Sequence, residues 1–217
     1  MSKVLKNFTI LIPCRKGSKG VPFKNRTLLN HTINSIPHQY RKNILVATDD
    51  EVIIERCRQQ QINIYHRSEE SATDTAPTKS IVQEIKSLIE TDYILMLYLT
   101  YPERTWDKIL SAIKFYEDND GKSLLCSKKL KTSPYLMMYK NGLHGRQIIK
   151  HDLYRRQDYP ECFEISHYVF VANKKEINNL NNNLYNEETL FYPIDDVIDI
   201  DTLEDLETYN AKNKNNS

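Results

Sequence analysis

Short apolar runs alternate along this 217-residue chain with longer stretches whose apolar residues recur at helical spacing. Phe8-Thr9-Ile10-Leu11-Ile12-Pro13 is nearly continuous in hydrophobicity, as a strand covered on both faces requires. Residues 28–36 then read as a helix that stops before Pro37, and residues 42–48 as a second strand. Residues 51–60 place Val52, Ile53, Ile54 and Cys57 on a helical face, and Ile62-Asn63-Ile64-Tyr65 alternates as a short third strand. Residues 78–89 carry Ile81, Val82, Ile85, Leu88 and Ile89 on one stripe, ahead of the most apolar strand, residues 93–99. A helix over 106–116 and a strand at Ser123-Leu124-Leu125-Cys126 follow. Strands separated by helices of this size are βαβ units, so the expectation is an α/β fold with a mostly parallel sheet and helices on both faces. Such sheets bind ligands beyond the carboxyl ends of their strands, which directs attention to the loops after Pro13, Thr48 and Thr100.

The alternation breaks between residues 128 and 164 into Pro, Tyr, Lys and Gly punctuation, read as an inserted arm suited to dimerisation. Residues 168–172 resume as a strand, and residues 210–217 form a polar tail expected to fray. Residues 1–217 are otherwise expected to make a single domain, long enough for its own core.

Charge narrows the partners. Lys and Arg number 30 against 29 Asp and Glu, a net charge of +1, which argues against bulk attraction to nucleic acid or an anionic membrane. No apolar stretch is long enough for a bilayer, and the start lacks a signal-peptide pattern. Cys14, Cys57, Cys126 and Cys162 are dispersed with no CxxC pair and read as reduced thiols, so the expected location is cytoplasmic.

Glycine is scarce, 5 in the whole chain, yet two fall in Arg15-Lys16-Gly17-Ser18-Lys19-Gly20-Val21-Pro22-Phe23-Lys24-Asn25, directly after the first strand. Glycines there let successive backbone N–H groups cradle phosphate oxygens, while Arg15, Lys16, Lys19 and Lys24 add positive charge. A solvated basic turn is the plainer alternative, but position and glycine spacing favour a triphosphate loop. It is not a Walker A loop, because GxxxxGK[ST] is absent. Late in the chain, Asp199 and Asp201 stand two apart, a spacing that puts both carboxylates on one side of an extended segment for one hard cation.

The basic loop resembles the signature of the acidic-sugar cytidylyltransferases, the CMP-sialic acid synthetase family. Ala47-Thr48-Asp49, Arg67 with Ala72-Thr73-Asp74-Thr75, residues 97–105, Arg156-Gln157 to Phe163, and Ile198-Asp199-Ile200-Asp201-Thr202 resemble its later motifs in order. The resemblance implies a three-layer Rossmann-like nucleotidyltransferase fold, a homodimer, and CMP transfer from CTP with Mg²⁺, which Mn²⁺ can replace. Carried onto this sequence, Arg15, Lys19 and Lys24 would neutralise the leaving pyrophosphate. Gly17, Ser18, Gly20 and Asn25 would hold the nucleotide with Arg67 and Asp74, and Asp199 and Asp201 would hold the metal. The choice of cytosine over uracil rests on the resemblance alone.

Departures fall on the acceptor side. Tyr98 replaces the family's glutamine, Tyr101 its serine, and Glu164 an arginine, while Ser166-His167-Tyr168-Val169 replaces an Asn-Gly strand. Tyr98, Tyr101, Arg156, Glu164 and His167 are therefore the candidate acceptor residues. Glu164 could meet an ammonium and Arg156 a phosphate, which suits the related phosphoglutamine cytidylyltransferases of capsule synthesis, whose acceptor, L-glutamine phosphate, gives CDP-L-glutamine. The alternatives are a CMP-sialic acid or CMP-KDO synthetase and a catalytically silent nucleotide-binding protein.

Overall fold

The computed structural model describes residues 2–17, 20–195 and 197–214. Its sheet has seven strands in the order β3-β2-β1-β4-β8-β5-β9. β1 (Phe8–Cys14), β2 (Ile44–Thr48), β3 (Asn63–His66) and β4 (Tyr93–Met96) run parallel, as the alternating pattern requires. β5 (Ser123–Lys129) and β9 (Leu190–Pro193) are parallel to each other, and β8 (Phe163–Asn173) runs antiparallel between β4 and β5. Period-two alternation explains the two cores. Phe8, Ile10, Ile12 and Cys14 of β1 pack on one face with Leu28, Leu29 and Ile33 of α1 (Lys24–Asn34). Ile53 and Cys57 of α2 (Glu51–Gln59) and Ile109, Ala112 and Ile113 of α4 (Trp106–Asp118) share that face. Leu11 points the other way, onto the face covered by Ile81, Val82 and Ile85 of α3 (Thr78–Lys86).

Between β5 and β8 the chain leaves the sheet and forms a separate hairpin, β6 (Met138–Asn141) against β7 (His144–Gln147). The final helix, α5 (Leu203–Lys214), is opened by a reciprocal cap: Asp205 Oδ2 accepts from Thr202 N at 2.7 Å, and Thr202 Oγ1 accepts from Asp205 N at 3.2 Å. The expected polar tail is thus helical through residue 214, and residues 215–217 lie outside the described residues.

Helix α1 begins four residues earlier than its apolar periodicity suggests, because its first turn is polar and basic. Lys24 and Arg26 oppose the helix dipole there, and carboxylates compensate both. Arg26 Nε donates to Asp50 Oδ2 at 2.7 Å, while Asp50 Oδ1 caps α2 by accepting from Val52 N at 3.0 Å. Burial alone would raise the Asp50 carboxyl, but the bonds from Arg26 and Val52 hold it below the ordinary carboxylate range. Its contribution to stability is therefore present above the unfolded value, about 3.9, and is lost as pH falls through the lower folded value. Asp50→Ala removes a cap and leaves Arg26 without its partner. The expected loss is about 2–4 kcal/mol at neutral pH, measured by urea unfolding, shrinking in acid.

Candidate active site

The strand order reverses at β1, with β2 on one side and β4 on the other, and a cleft opens at the carboxyl ends of β1 and β4. Arg15, Gly17, Lys24 and Asn25 enter it from the basic loop, Arg67 and Asp74 from the segment after β3, and Tyr98 from beyond β4. Six of the residues expected at the nucleotide are thus brought together. Ser18 and Lys19 lie outside the described residues.

Local bonds hold the loop in place. Asn25 Nδ2 donates to the Arg15 carbonyl at 2.8 Å, and Asp49 Oδ1 accepts from Lys16 N at 2.6 Å. Asp49 thus anchors the loop backbone, a role sequence reasoning left unassigned although its motif was visible. Arg15 pairs with Asp74 across the cleft. Arg67 donates to the Ser71 carbonyl, and Glu84 of α3 fixes that turn through Ser68 Oγ at 2.5 Å and Ser71 Oγ at 3.0 Å. Burial lowers the affinity of Arg67 for its proton; the Arg15 guanidinium adds to this, while Asp49 and Glu84 oppose it. Two guanidiniums close enough to repel define a place for an anion.

Lys24 differs from its expected role. Its ammonium is buried and committed, donating to the Ile200 carbonyl at 2.6 Å and to Asp201 Oδ1 at 2.8 Å. It ties the basic loop to the late acidic segment. Gly20 makes the same junction: a Cβ there would lie 1.8 Å from the Asp201 carbonyl oxygen. Ile200 N donates to the Thr100 carbonyl at 2.8 Å, which binds the acidic segment to the loop after β4. Three loops distant in sequence therefore meet at residues 199–201.

The acceptor candidates divide. Tyr98 faces the cleft, donates to Thr78 Oγ1 at 2.6 Å, and stays protonated because burial pushes its hydroxyl up to about 12. His167 stacks edge-on against Tyr98 at 5.2 Å, and its Nε2 is buried without a partner among the described residues. Burial lowers its pKa despite the opposing Asn183 backbone and Asp199, which favours a neutral ring. Arg156, Glu164 and Tyr101 need correction. Arg156 borders a separate groove in the arm with Lys129, Ser133 and Tyr159, because the excursion after β5 carries it off the sheet. Glu164 lies on β8 beyond the irregularity that shifts the β5–β8 register, beside Phe163 and Phe191. Tyr101 is 3% exposed, leaving no face for an acceptor. Behind them Arg104, also buried, donates to the Tyr98 and Tyr168 carbonyls at 2.7 Å each, joining β8 to the chain beyond β4. Burial brings its pKa down to about 10, still charged at neutral pH.

Asp199 and Asp201 do not sit on a strand. Asp201 is exposed beside Lys24, whereas Asp199 is half-buried and its Oδ1 has no partner among the described residues. An oxygen-only pair with an unsatisfied buried acceptor suits a hard cation. Among the described residues no group of three or more His, Cys, Asp or Glu assembles as a metal site, so such a cation would complete its shell with other oxygens, from water or a substrate.

The fold is that of the α/β nucleotidyltransferases. A family model described as "Cytidylyltransferase" matches residues 9–214, and the chain belongs to that family. It is 28% identical over 177 residues to an N-acylneuraminate cytidylyltransferase of Streptococcus agalactiae serotype V, covering 76% of this chain but only 43% of that protein. It is 26% identical to the CMP-N,N'-diacetyllegionaminic acid synthase of Legionella pneumophila, covering 88% of this chain and 90% of the relative. Among solved structures, a CMP:2-keto-3-deoxy-manno-octonic acid synthetase in complex with CTP superposes with a TM-score of 0.66 at 13% identity, covering 97% of this chain and all of that one. The 4-diphosphocytidyl-2C-methyl-D-erythritol synthase of Anaerococcus prevotii gives 0.62 at 14%, covering 95% and 98%. These structural likenesses bear on the fold. Among the described residues no helix is long and apolar enough to cross a membrane.

Proposed function

We propose that this chain transfers CMP from CTP to a small anionic acceptor and releases pyrophosphate. The carrying observation is a cleft at the β1–β4 switch point lined by Arg15, Gly17 and Arg67, which Lys24 and Gly20 join to the Asp199–Asp201 segment. In-line attack by an acceptor oxygen forms a bond to the α-phosphorus and breaks its bond to the bridging oxygen of the departing pyrophosphate. Positioning and charge neutralisation carry most of such a reaction. Arg15 and Arg67 serve the phosphates, with Ser18 and Lys19 assigned to the same task. Asp199 and Asp201 are the residues to hold Mg²⁺, or Mn²⁺ in its place, which neutralises triphosphate charge when bound.

An acidic sugar is the favoured acceptor. The names of the streptococcal and Legionella relatives support it, and the two residues that pointed to L-glutamine phosphate, Arg156 and Glu164, stand outside the cleft. An attacking sugar hydroxyl must lose a proton, and the neutral His167 ring beside Tyr98 is a candidate acceptor for it. L-Glutamine phosphate remains the second reading, favoured by Tyr98 and His167 standing where the family keeps other residues. We assign a homodimer through residues 128–164, an arm that exposes Met138, Tyr139, Leu143 and Tyr154.

The test is pyrophosphate release from CTP and Mg²⁺ with N-acetylneuraminate, 2-keto-3-deoxy-manno-octonate or L-glutamine phosphate, the product identified by mass spectrometry. CTP turnover with one acidic sugar is expected. Tight CTP binding without turnover of any acceptor would instead identify a silent nucleotide-binding protein.

A further inference from the structure

We propose that Tyr101 is a positioning residue for Asp199, fixing one carboxylate oxygen so that the other is presented to a divalent cation at the nucleotide. This rests on the cytidylyl-transfer reading above. The Tyr101 hydroxyl lies 2.6 Å from Asp199 Oδ2 and 3.1 Å from Ser166 Oγ. An ionised carboxylate only accepts, so Tyr101 gives its single proton to Asp199, and Ser166 must be the donor to the tyrosine oxygen. The ring cannot swing away. Tyr168 packs edge-on against it at 5.4 Å and the Lys128 ammonium stands 5.9 Å from its centroid. Ser166 is itself only 3% exposed, so the relay Ser166–Tyr101–Asp199 is built into the protein interior.

This holds Asp199 by Oδ2 alone. Oδ1 is buried with no partner among the described residues, a state that costs about 1–3 kcal/mol when nothing satisfies it. The Tyr98 hydroxyl is engaged elsewhere, on Thr78 Oγ1. Lys24 does for Asp201 what Tyr101 does for Asp199, tying Oδ1 at 2.8 Å. Each aspartate thus has one oxygen fixed from outside the pair. A carboxylate oriented through one oxygen by a neighbour is the usual support of a metal ligand.

Tyr101→Phe keeps the ring and deletes only the hydroxyl. Mn²⁺ is titrated in the presence of CTP and followed by its electron paramagnetic resonance signal. The expected result is a Kd for Mn²⁺ raised about tenfold. The Mn²⁺ concentration for half-maximal pyrophosphate release should shift equally, with the KM for CTP at saturating Mn²⁺ unchanged. Ser166→Ala, which leaves Tyr101 in place, should move both in the same direction by less, and it decides the matter if Tyr101→Phe fails to fold. Wild-type Mn²⁺ binding in both variants overturns the positioning role while leaving the transferase reading intact. Absence of Mn²⁺ binding by the wild-type protein with CTP overturns the role together with the assignment of Asp199 as a ligand.

Discussion

Gly20→Ala is expected to lower kcat/KM for CTP by about 100-fold, with a far smaller effect on folding, about 1–2 kcal/mol. The methyl group would lie 1.8 Å from the Asp201 carbonyl oxygen and 3.0 Å from the carbonyl carbon. Both are backbone atoms, so no rotamer change relieves the clash. The loop and the acidic segment must part by more than about 1 Å to restore van der Waals separation. That movement strikes the junction where Lys24 donates to the Ile200 carbonyl and to Asp201. It therefore separates the phosphate loop from the carboxylates meant to act on the same triphosphate. Gly17→Ala is the control, because among the described residues no atom beyond its chain neighbours lies within 4 Å of a Cβ at that position. Any loss at Gly17 reports the approach of ligand alone. Pyrophosphate release kinetics and thermal unfolding of the two variants check the contrast, and equal kinetics in both would refute it.

The scarcity of glycine made this junction visible in the sequence, though not the reason for it. Gly20 was expected to serve phosphates, and the fold shows that it also lets two loops touch. The parallel half of the sheet was legible because β1, β2 and β4 are continuous apolar runs separated by amphipathic helices. The direction of β8 was not legible. Hydrophobicity is the same read either way, and residues 130–162 are long enough for a crossover as well as for the direct antiparallel return to β5 that the fold uses. β9 is four residues with a partly exposed pattern, too short to register as a period. The same limits explain the site. Four cations in a basic loop look alike in sequence, yet the Lys24 ammonium is committed to the Ile200 carbonyl and Asp201 while Arg15 reaches across the cleft to Asp74. Arg156, Glu164 and Tyr101 were grouped by their order in a motif, and motif order does not say which way a side chain points. Arg104 lay inside the 97–105 motif but was given no role, because its burial and its bonds to two carbonyls leave no pattern along the chain.

Asp199→Asn is expected to reduce pyrophosphate release by about 1,000-fold or more if Asp199 is, as proposed, a ligand of an ion that neutralises the triphosphate. The fold should hardly notice. The amide oxygen can accept from Tyr101 as Oδ2 now does at 2.6 Å, so the relay from Ser166 survives, and unfolding should stay within about 1 kcal/mol of wild type. What changes is the other terminus. With its oxygen turned to Tyr101, the amide places an NH₂ where Oδ1 is now buried with no partner among the described residues, substituting donors for the acceptor a cation needs. Excess Mg²⁺ should therefore restore little activity, unlike Tyr101→Phe, in which the carboxylate persists and only its aim is lost. Mn²⁺ titration and urea unfolding of Asp199→Asn measure the two halves of this expectation. Full activity with undiminished Mn²⁺ affinity would remove Asp199 from the metal site and leave its buried oxygen to be explained by the acceptor, through the neighbouring Tyr98 and His167.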